Sequence, residues 1–329
     1  MPGWSARDTA KLLNVSHGTV ARDLNLARAL DQVPELAESK SKDDAERTLG
    51  KVVKALEIQE TAEKIEKETS TEDKVNVLRK KLCKLYMLAP EKDDPLESGF
   101  FDYSEHLQTG SFKYISLDPP YAIGDEEQQE IMARTSAVDP GKTWMSQDLY
   151  IPILKKALAE SYRVLKDDSW LIVWFGPEPW FETTYRLIIE ANFKVRRTVG
   201  IWCKQKGFSF SPDTCLSNSY EMFYYAHKGN PKILKPGRIN TFHYGSVPYN
   251  IRMHPTEKPI ELEQELISLF CKEGDLIAAP FLGSGNIILA AANLNLTAVG
   301  YDIVKSYKDG FTVKVYENQP PHYKTFKGE

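Results

Sequence analysis

Four consecutive residues, Asp118-Pro119-Pro120-Tyr121, combine the side chains needed to bind a planar base that carries an amino group. A carboxylate can accept a hydrogen bond from an exocyclic NH2 group, and an aromatic ring offers a face for stacking. Proline has no N–H group, and its fixed φ angle holds the turn so that nearby carbonyl oxygens can accept a second bond. A plain turn is the alternative, because Asp and Pro are both common in turns.

These residues follow an apolar run, Tyr114-Ile115-Ser116-Leu117, which predicts a short buried strand. Open α/β sheets bind ligands just beyond the carboxyl ends of their strands. After residue 95 the sequence alternates strand and helix patterns, which is typical of a mainly parallel sheet. We therefore predict a Rossmann-like α/β fold over residues 96–329, with Asp118 at its ligand-binding edge.

The predicted elements follow from runs of apolar, β-branched and aromatic residues and from helical periodicity. The predicted strands are Lys113–Leu117, Ser169–Phe175, Lys194–Trp202, Tyr220–Tyr225, Leu276–Ala279 and Thr297–Tyr301. The predicted helices are Asp148–Leu165, Pro179–Ala191, Ile260–Phe270 and Asn286–Asn293.

A second candidate site is a glycine-containing loop, Phe281-Leu282-Gly283-Ser284-Gly285, between a predicted strand and a predicted helix. Gly283 and Gly285 permit positive φ angles and close approach of a ligand to the backbone. Asp302 ends the next predicted strand, where an acidic side chain can bind a ribose diol. The glycines alone are equally typical of a tight turn, but the order of strand, loop, helix, strand and acid favours a nucleoside site.

This loop differs from the loops that bind phosphate groups. The third position of the dinucleotide-binding fingerprint is Ile288, which is not small, and the Gly-Lys-Ser/Thr of a P-loop is absent. A non-phosphorylated adenosyl ligand fits better, and we predict that the cofactor is S-adenosylmethionine.

The N-terminal region, up to about residue 95, has an all-helical pattern. Residues 1–35 predict two short helices with a tight turn, in which Ser16 caps the second helix. This segment resembles the helix-turn-helix of ParB-type partition proteins, which implies that His17, Thr19 and Arg22 contact DNA. An ordinary helical hairpin is the alternative. Residues 36–95 predict two charged helices, 43–68 and 72–88, that form a linker or a hairpin through which two copies pair as a homodimer.

Composition excludes several classes of protein. The 329 residues carry a formal net charge of −4, so binding to nucleic acid requires a local basic surface. The four cysteines and the histidines lack metal-site spacing, and we expect no metal. No apolar run can span a bilayer, and residues 1–5 lack the features of a signal peptide. We expect a cytoplasmic protein with no membrane contact.

The motifs and their order resemble the β-class amino-methyltransferases of DNA over roughly residues 96–310. In that class the Asp-Pro-Pro-Tyr motif comes first and the Phe-x-Gly-x-Gly motif comes last, as here. Three further segments also match, namely Trp202-Cys203-Lys204, Asn218-Ser219-Tyr220-Glu221 and His254-Pro255-Thr256-Glu257-Lys258-Pro259.

The resemblance implies a role for each matching residue. Asp118 and a carbonyl oxygen of Pro119 or Pro120 would bind the target amino group, and Tyr121 would stack on a base flipped out of the duplex. The residues implied at the cofactor site are Asp118, Lys258, Phe281, Gly283, Ser284, Gly285 and Asp302. Asp at position 118 favours N6 of adenine, because N4-cytosine enzymes more often carry Ser there. The resemblance also implies a bacterial or phage-infected cell and a restriction-modification setting.

Two positions depart from the family pattern: Ala279 stands where Asp usually precedes Pro-Phe, and Asn286 stands where Thr often follows the last glycine. A DNA-binding regulator with little or no activity is therefore one alternative. RNA adenine or N4-cytosine methylation is another. C5-cytosine methylation is set aside, because none of the four cysteines follows a proline as the nucleophile of that family does.

Residues 203–253 combine basic and aromatic side chains, which suits contact with double-stranded DNA. We predict a target-recognition insert here in which DNA is bound by Lys204, Lys206, Lys235, Arg238 and Arg252. A charged loop region with its aromatic residues in the core is the alternative. The long polar segment Ala122–Met145 predicts a lid over the site.

Overall fold

The computed structural model describes residues 10–12, 15–30, 33, 36, 39–68, 73–122, 146–209, 212–248, 250–318 and 322–325. The chain divides into two compact units, Met1–Glu57 and Ile58–Glu329. The predicted lid lies almost wholly in residues 123–145, outside the described residues.

The first unit is mostly helical in its described residues. Helix α1 spans His17–Leu30, and the longer helix α2 spans Lys42–Glu68, so its last eleven residues belong to the second unit. The N–H of Thr19 donates to the hydroxyl oxygen of Ser16 over 3.0 Å, so Ser16 caps α1 as predicted. Residues 1–9, 13 and 14 lie outside the described residues, and the helix-turn-helix stays a prediction.

An eight-stranded sheet forms the centre of the second unit. Its strands are β1 (Tyr86–Leu88), β2 (Phe112–Leu117), β3 (Leu165–Phe175), β4 (Gly200–Phe208), β5 (Asn218–Lys228), β6 (Thr241–His243), β7 (Leu276–Ala279) and β8 (Thr297–Asp302). Its helices are α3 (Lys74–Leu85), α4 (Phe100–Ser104), α5 (Gln147–Val164), α6 (Pro177–Glu190), α7 (Ile260–Phe270), α8 (Asn286–Asn293) and α9 (Lys305–Glu317). A short 3-10 helix spans Pro95–Glu97.

The strand order is β1-β8-β7-β2-β3-β5-β4-β6. Strand β5 runs antiparallel to both of its neighbours, and the other pairs of described strands are parallel. This confirms the predicted Rossmann-like α/β fold. Because β2, β7 and β8 are adjacent and parallel, their carboxyl ends bring Asp118, Ala279 and Asp302 to the same edge of the sheet.

Helices cover both faces of the sheet, which explains why its central strands are almost continuously apolar. Tyr114 of β2 packs into a core with residues of α3, α7, α8 and α9. Its neighbours Ile115 and Leu117 point to the opposite face and pack with residues of α4, α5 and α6. No helix in the described part of the chain is long and apolar enough to cross a membrane.

The region expected to be a separate helical linker, residues 36–95, is divided by the structure. The helix predicted over 72–88 is wrong at its end, because Tyr86–Leu88 pairs with β8 as the edge strand β1. Leu82 and Tyr86 are buried in the core of the second unit. Residues 74–88 are therefore part of the α/β unit, and Leu78, Leu82 and Leu85 of the predicted apolar stripe pack in or against its core. Pairing of two copies through this region stays a prediction.

The strand predicted over Lys194–Trp202 is shifted. Lys194 makes only an isolated bridge to His227, and β4 runs on to Phe208, which pairs with Asn218 of β5 beyond an irregularity in the register. Strands β4, β5 and β6 belong to the central sheet, so the predicted insert 203–253 contains parts of that sheet and is not a separate lobe. The short strand β6 and helix α9 were not predicted.

Candidate active site

Asp118 directly follows the last residue of β2, and its carboxylate is held by Lys258 from the segment before α7. The ammonium of Lys258 forms an ion pair with Oδ2 of Asp118 and lies 3.5 Å from Oε2 of Glu221. Lys258 is 5% exposed, and its Nζ lies 4.4 Å from the centre of the Trp174 ring, which supports it by a cation–π contact.

Burial and charge act against each other on this pair. Burial raises the pKa of Asp118, and Lys258 opposes that change. Burial disfavours the Lys258 ammonium, but the carboxylates of Asp118 and Glu221 outweigh it and raise the pKa of Lys258. Each partner therefore keeps the other charged inside the protein.

Glu221 of β5 extends the charged group on its far side. Oε1 of Glu221 accepts a hydrogen bond of 2.6 Å from Lys204 of β4, whose ammonium also lies 4.7 Å from the Trp202 ring. Burial alone would raise the pKa of Glu221, but Lys204 and Lys258 outweigh it and lower the pKa to about 2. Two lysines and two acids thus form a neutral, largely buried network around Asp118.

Tyr121 is tied to the same network. Its hydroxyl lies 3.0 Å from Oδ1 of Asp118 and 3.2 Å from Oε2 of Glu221, and it can donate to either. Burial raises the pKa of this hydroxyl well above its usual value, so it stays a donor. The indole N–H of Trp180 donates to the carbonyl oxygen of Tyr121 over 2.6 Å, and Tyr150 stacks on Trp180.

Asp302 at the end of β8 holds the glycine loop. Its Oδ2 accepts from the N–H of Gly283 over 2.7 Å, and its Oδ1 accepts from the N–H of Val304 over 2.9 Å. Burial raises the pKa of Asp302 to about 6, and these backbone donors oppose that rise. The carbonyl oxygen of Gly283 accepts a hydrogen bond of 2.6 Å from the Tyr86 hydroxyl, so the loop is fixed from two strands.

Both glycines of the loop have positive φ angles, 56° at Gly283 and 77° at Gly285. Gly285 caps the N-terminus of α8, and a Cβ atom there would overlap the ring of Phe311. Glycine is therefore required at 285 by conformation and by space.

Asn286 joins the segment before α7 to helix α8. Its amide Nδ2 donates to Oε1 of Glu257 and to the carbonyl oxygen of Lys258, and its Oδ1 accepts from Lys314. Glu257 in turn accepts a hydrogen bond of 2.7 Å from Lys314. Although Asn286 departs from the family pattern, it helps to fix the backbone that carries Lys258.

A cavity of about 430 Å³ opens at this edge of the sheet, a size that suits a small ligand. It is lined by the predicted site residues Asp118, Pro119, Pro120, Tyr121, Lys258, Phe281, Gly283, Ser284 and Asp302. Gly285 is not among its lining residues and shapes the loop instead. Ala279 and Glu263 also line it.

Comparison with known proteins gives consistent matches over this unit. A family model described as DNA methylase of the N6/N4 methyltransferase type matches residues 112–313, more than half of the chain. The chain belongs to the N6/N4 DNA methylase family. The type II methyltransferase M2.DpnII of Streptococcus pneumoniae is 43% identical over 232 residues, which cover 64% of this chain and 85% of that protein.

A more distant relative and two solved structures agree. The type II methyltransferase M.HpaI of Haemophilus parainfluenzae is 25% identical over 226 residues, 62% of this chain and 68% of that protein. The M1.HpyAVI–SAM complex has a TM-score of 0.51 and 17% identity, and covers 69% of this chain and 98% of that one. The cytosine-N4-specific PvuII DNA methyltransferase has a TM-score of 0.53 and 15% identity, and the match covers 71% of this chain and 92% of that one. At these identities, the structures show that the methylase shares their fold.

The residues of the methylase fit the adenosyl cofactor expected from the sequence. The glycine loop has the backbone conformation that close approach requires, Asp302 lies at its base, and the cavity continues to Asp118. His254 beside Gly283 is buried, which lowers the pKa of its imidazole to about 4 and keeps it neutral. Within the described residues, no group of His, Cys, Asp and Glu is arranged to hold a metal ion.

None of the residues predicted to bind DNA is among those that line the cavity, and several have partners inside the protein. Lys204 binds Glu221, Arg238 donates to Glu265 over 2.7 Å, and Arg252 donates to the carbonyl oxygen of Val247 over 2.7 Å. Lys235 donates to Ser268, whereas Lys206 is exposed. In the first unit His17 and Arg22 are exposed, and the Thr19 hydroxyl bonds to Ser16. DNA contact by these residues stays a prediction.

Two site residues, Tyr86 and Glu263, were not predicted, and Glu221 was part of a matching segment but was given no role. Glu221 is a charge within an otherwise aromatic strand, which was a usable signal. Glu263 is a charge on the apolar stripe of α7, which was another. Tyr86 carried no signal, because its segment was predicted as the end of a helix.

Proposed function

We propose that the methylase transfers a methyl group from S-adenosylmethionine to the exocyclic N6 of adenine in double-stranded DNA. The observation that carries this proposal is the Asp118 carboxylate, which is fixed by Lys258 and Tyr121 at the wall of the cavity. A fixed carboxylate at this position is an acceptor aimed at an amino group, and its pairing with Lys258 limits its movement.

When bound, S-adenosylmethionine would supply a methyl group on a positively charged sulfur, and the products would be the methylated amine, S-adenosylhomocysteine and one proton. The residues of the protein orient the nucleophile. Asp118 accepts a hydrogen bond from one N–H of the target amino group, and a carbonyl oxygen of Pro119 or Pro120 accepts a hydrogen bond from the other N–H. Both bonds draw the nitrogen lone pair out of conjugation with the ring. Phe281, Gly283 and Asp302 hold the adenosyl part of the cofactor.

Catalysis then rests on position and electrostatics, without a covalent enzyme intermediate. Lys258 favours the charged form of Asp118 although the carboxylate is buried, and Lys204 pairs with the neighbouring Glu221. The target base must leave the duplex to reach the cavity, and Tyr121 stacks on it there. Exposed Lys206 and the predicted helix-turn-helix support a duplex substrate.

The preference for adenine rests on Asp at position 118, since the resemblance associates Ser there with N4-cytosine enzymes. The relatives M2.DpnII and M.HpaI are type II methyltransferases, which supports a modification enzyme that acts in the cytoplasm of a bacterial or phage-infected cell.

The test is transfer of a tritiated methyl group to duplex DNA of mixed sequence, followed by digestion to nucleosides. We expect the label in N6-methyladenine. Label in N4-methylcytosine would correct the target base, and label in single-stranded RNA but not in duplex DNA would correct the polymer. The absence of any label, in enzyme that binds S-adenosylmethionine, would favour the regulator without activity.

A further inference from the structure

Glu263 is a carboxylate on the buried face of helix α7. It lies three residues after Ile260 and three before Leu266, a spacing that puts all three side chains on one stripe of the helix. The two neighbours are fully buried, and Glu263 is 5% exposed. Burying a carboxylate costs free energy unless it is paired, so Glu263 needs a partner.

The described residues do not supply that partner. Oε2 of Glu263 is buried and has no hydrogen-bond partner among them. Burial raises the pKa of Glu263 to about 7; the nearby Lys258 opposes the rise, and Asp118 adds to it. Lys258 is paired with Asp118 and Glu221, and it makes no hydrogen bond to Oε2 of Glu263.

The other buried carboxylates of the cavity have partners. Asp118 is bound by Lys258, Glu257 is bound by Lys314 and Asn286, and Asp302 is bound by backbone N–H groups. Glu91 also lines the cavity but is exposed. Glu263 is thus the buried carboxylate in the described wall of the cavity that still has a free acceptor.

Its position complements Ala279. Ala279 ends β7, lines the same cavity and has a small, buried side chain where the sequence pattern leads one to expect Asp. Tyr114, Ile277 and Ala279 share a core with α7, so this sheet face looks toward the helix that carries Glu263. A carboxylate missing from the strand is present on the opposing helix.

We propose that Glu263 binds the α-ammonium group of the methionine part of S-adenosylmethionine and takes over the role of the acid absent at position 279. An ammonium group has three donors and a positive charge, which meets the need of an unpaired buried carboxylate. This proposal rests on the proposed function, since it assumes that cofactor in this cavity.

Binding of two nucleosides tests the proposal without any turnover. S-adenosylhomocysteine carries the α-ammonium group, whereas 5′-methylthioadenosine keeps the adenosine and the thioether but lacks the amino-acid part. Titration calorimetry on the full chain compares wild type, Glu263→Gln and the control Glu273→Gln, which removes an exposed carboxylate just beyond the same helix.

We expect Glu263→Gln to lower the affinity for S-adenosylhomocysteine about 10- to 100-fold. The affinity for 5′-methylthioadenosine should stay within about twofold of the wild-type value. Glu273→Gln should change neither. The double variant Ala279→Asp with Glu263→Leu, which returns the carboxylate to the strand, should recover most of the lost affinity for S-adenosylhomocysteine.

Equal weakening of both nucleosides by Glu263→Gln would show a role in shaping the cavity and would overturn the proposal, as would unchanged binding of S-adenosylhomocysteine. Wild-type protein that binds neither nucleoside would contradict the proposed function itself, which separates that failure from failure of the Glu263 assignment.

Discussion

The ammonium of Lys258 is paired with the carboxylate of Asp118, although 140 residues separate them in the chain. The sequence predicted Lys258 at the cofactor site and Asp118 at both the cofactor site and the target base. The structure shows that one side chain holds the other, so the cofactor-side segment before α7 fixes the residue that is to orient the base.

Replacing Lys258 with Met should reduce kcat by about 100-fold, because Asp118 loses its fixed position. It should also change the pH dependence of kcat. In the proposed function Asp118 is an ionised acceptor. Lys258 lowers the pKa of Asp118, so removal of Lys258 should raise that pKa and move the acid limb of the profile to higher pH. Lys272→Met, at an exposed site, is the control. An acid limb that stays in place would contradict this role.

Replacing Glu263 with Gln should stabilise the protein in the absence of cofactor. The pKa of Glu263 rises from roughly 4.5 in the unfolded chain to about 7 in the folded protein, so the folded state binds the proton more tightly. Stability is therefore lost as pH rises through this window, and Gln avoids that loss. The free energy of unfolding of the Gln variant should exceed that of the wild type by nearly zero at pH 4 and by on the order of 2–3 kcal/mol at pH 8.

Denaturant unfolding of both proteins at the two pH values measures this difference. Saturating cofactor should reduce the difference in unfolding free energy between the two proteins at pH 8, because the ligand stabilises the wild type more than the variant. A variant that is less stable than wild type at pH 8 would show that Glu263 already has a stabilising partner in the folded chain.

Gly285→Ala should lower the free energy of unfolding by more than 3 kcal/mol, since a left-handed conformation costs about 1–3 kcal/mol and the added methyl group also overlaps Phe311. Gly237→Ala is a matched control, because Gly237 also has a positive φ but has no atom within 4 Å of the added Cβ. It should cost only about 1–2 kcal/mol. Equal losses of unfolding free energy in the two variants would show that overlap with Phe311 does not contribute.

Tyr86→Phe should lower the affinity for S-adenosylhomocysteine about tenfold. The carbonyl oxygen of Gly283 loses its buried donor, so the glycine loop is less firmly held. Tyr316→Phe removes a hydroxyl from helix α9, away from the loop, and should leave the affinity unchanged. If the two variants bind alike, Tyr86 contributes to packing alone.

Much of the fold was predictable because its signals are local. The apolar runs of β2, β7 and β8 and the periodicity of α7 and α8 gave bounds close to those observed, and the two motif loops followed from strand ends. Strand β1 was not predictable in this way, because Tyr86–Leu88 becomes a strand only by pairing with β8, more than 200 residues later. Strand β4 was misplaced because its polar second half is held by pairing with β5.

The site was predictable to a similar degree. Asp118, Tyr121, Lys258 and Asp302 come from motifs whose chemistry is visible in sequence. Glu221 belongs to a segment that matches the family, but its contact with Lys258 depends on sheet order, which sets β5 beside β3. The basic residues of 203–253 show the converse: composition suggested DNA, whereas Arg238 and Arg252 use their guanidinium groups to bind the protein itself.

The most direct test of the role of Asp118 is the single-turnover rate of N6-methyladenine formation by Asp118→Asn at saturating S-adenosylmethionine and duplex DNA. Asn keeps the shape but replaces one carboxylate oxygen with a donor and removes the charge that Lys258 binds. We predict a rate at least about 100-fold below wild type, with cofactor affinity within a few-fold of wild type. A rate equal to wild type would contradict the assignment of Asp118 as the group that orients the target amine.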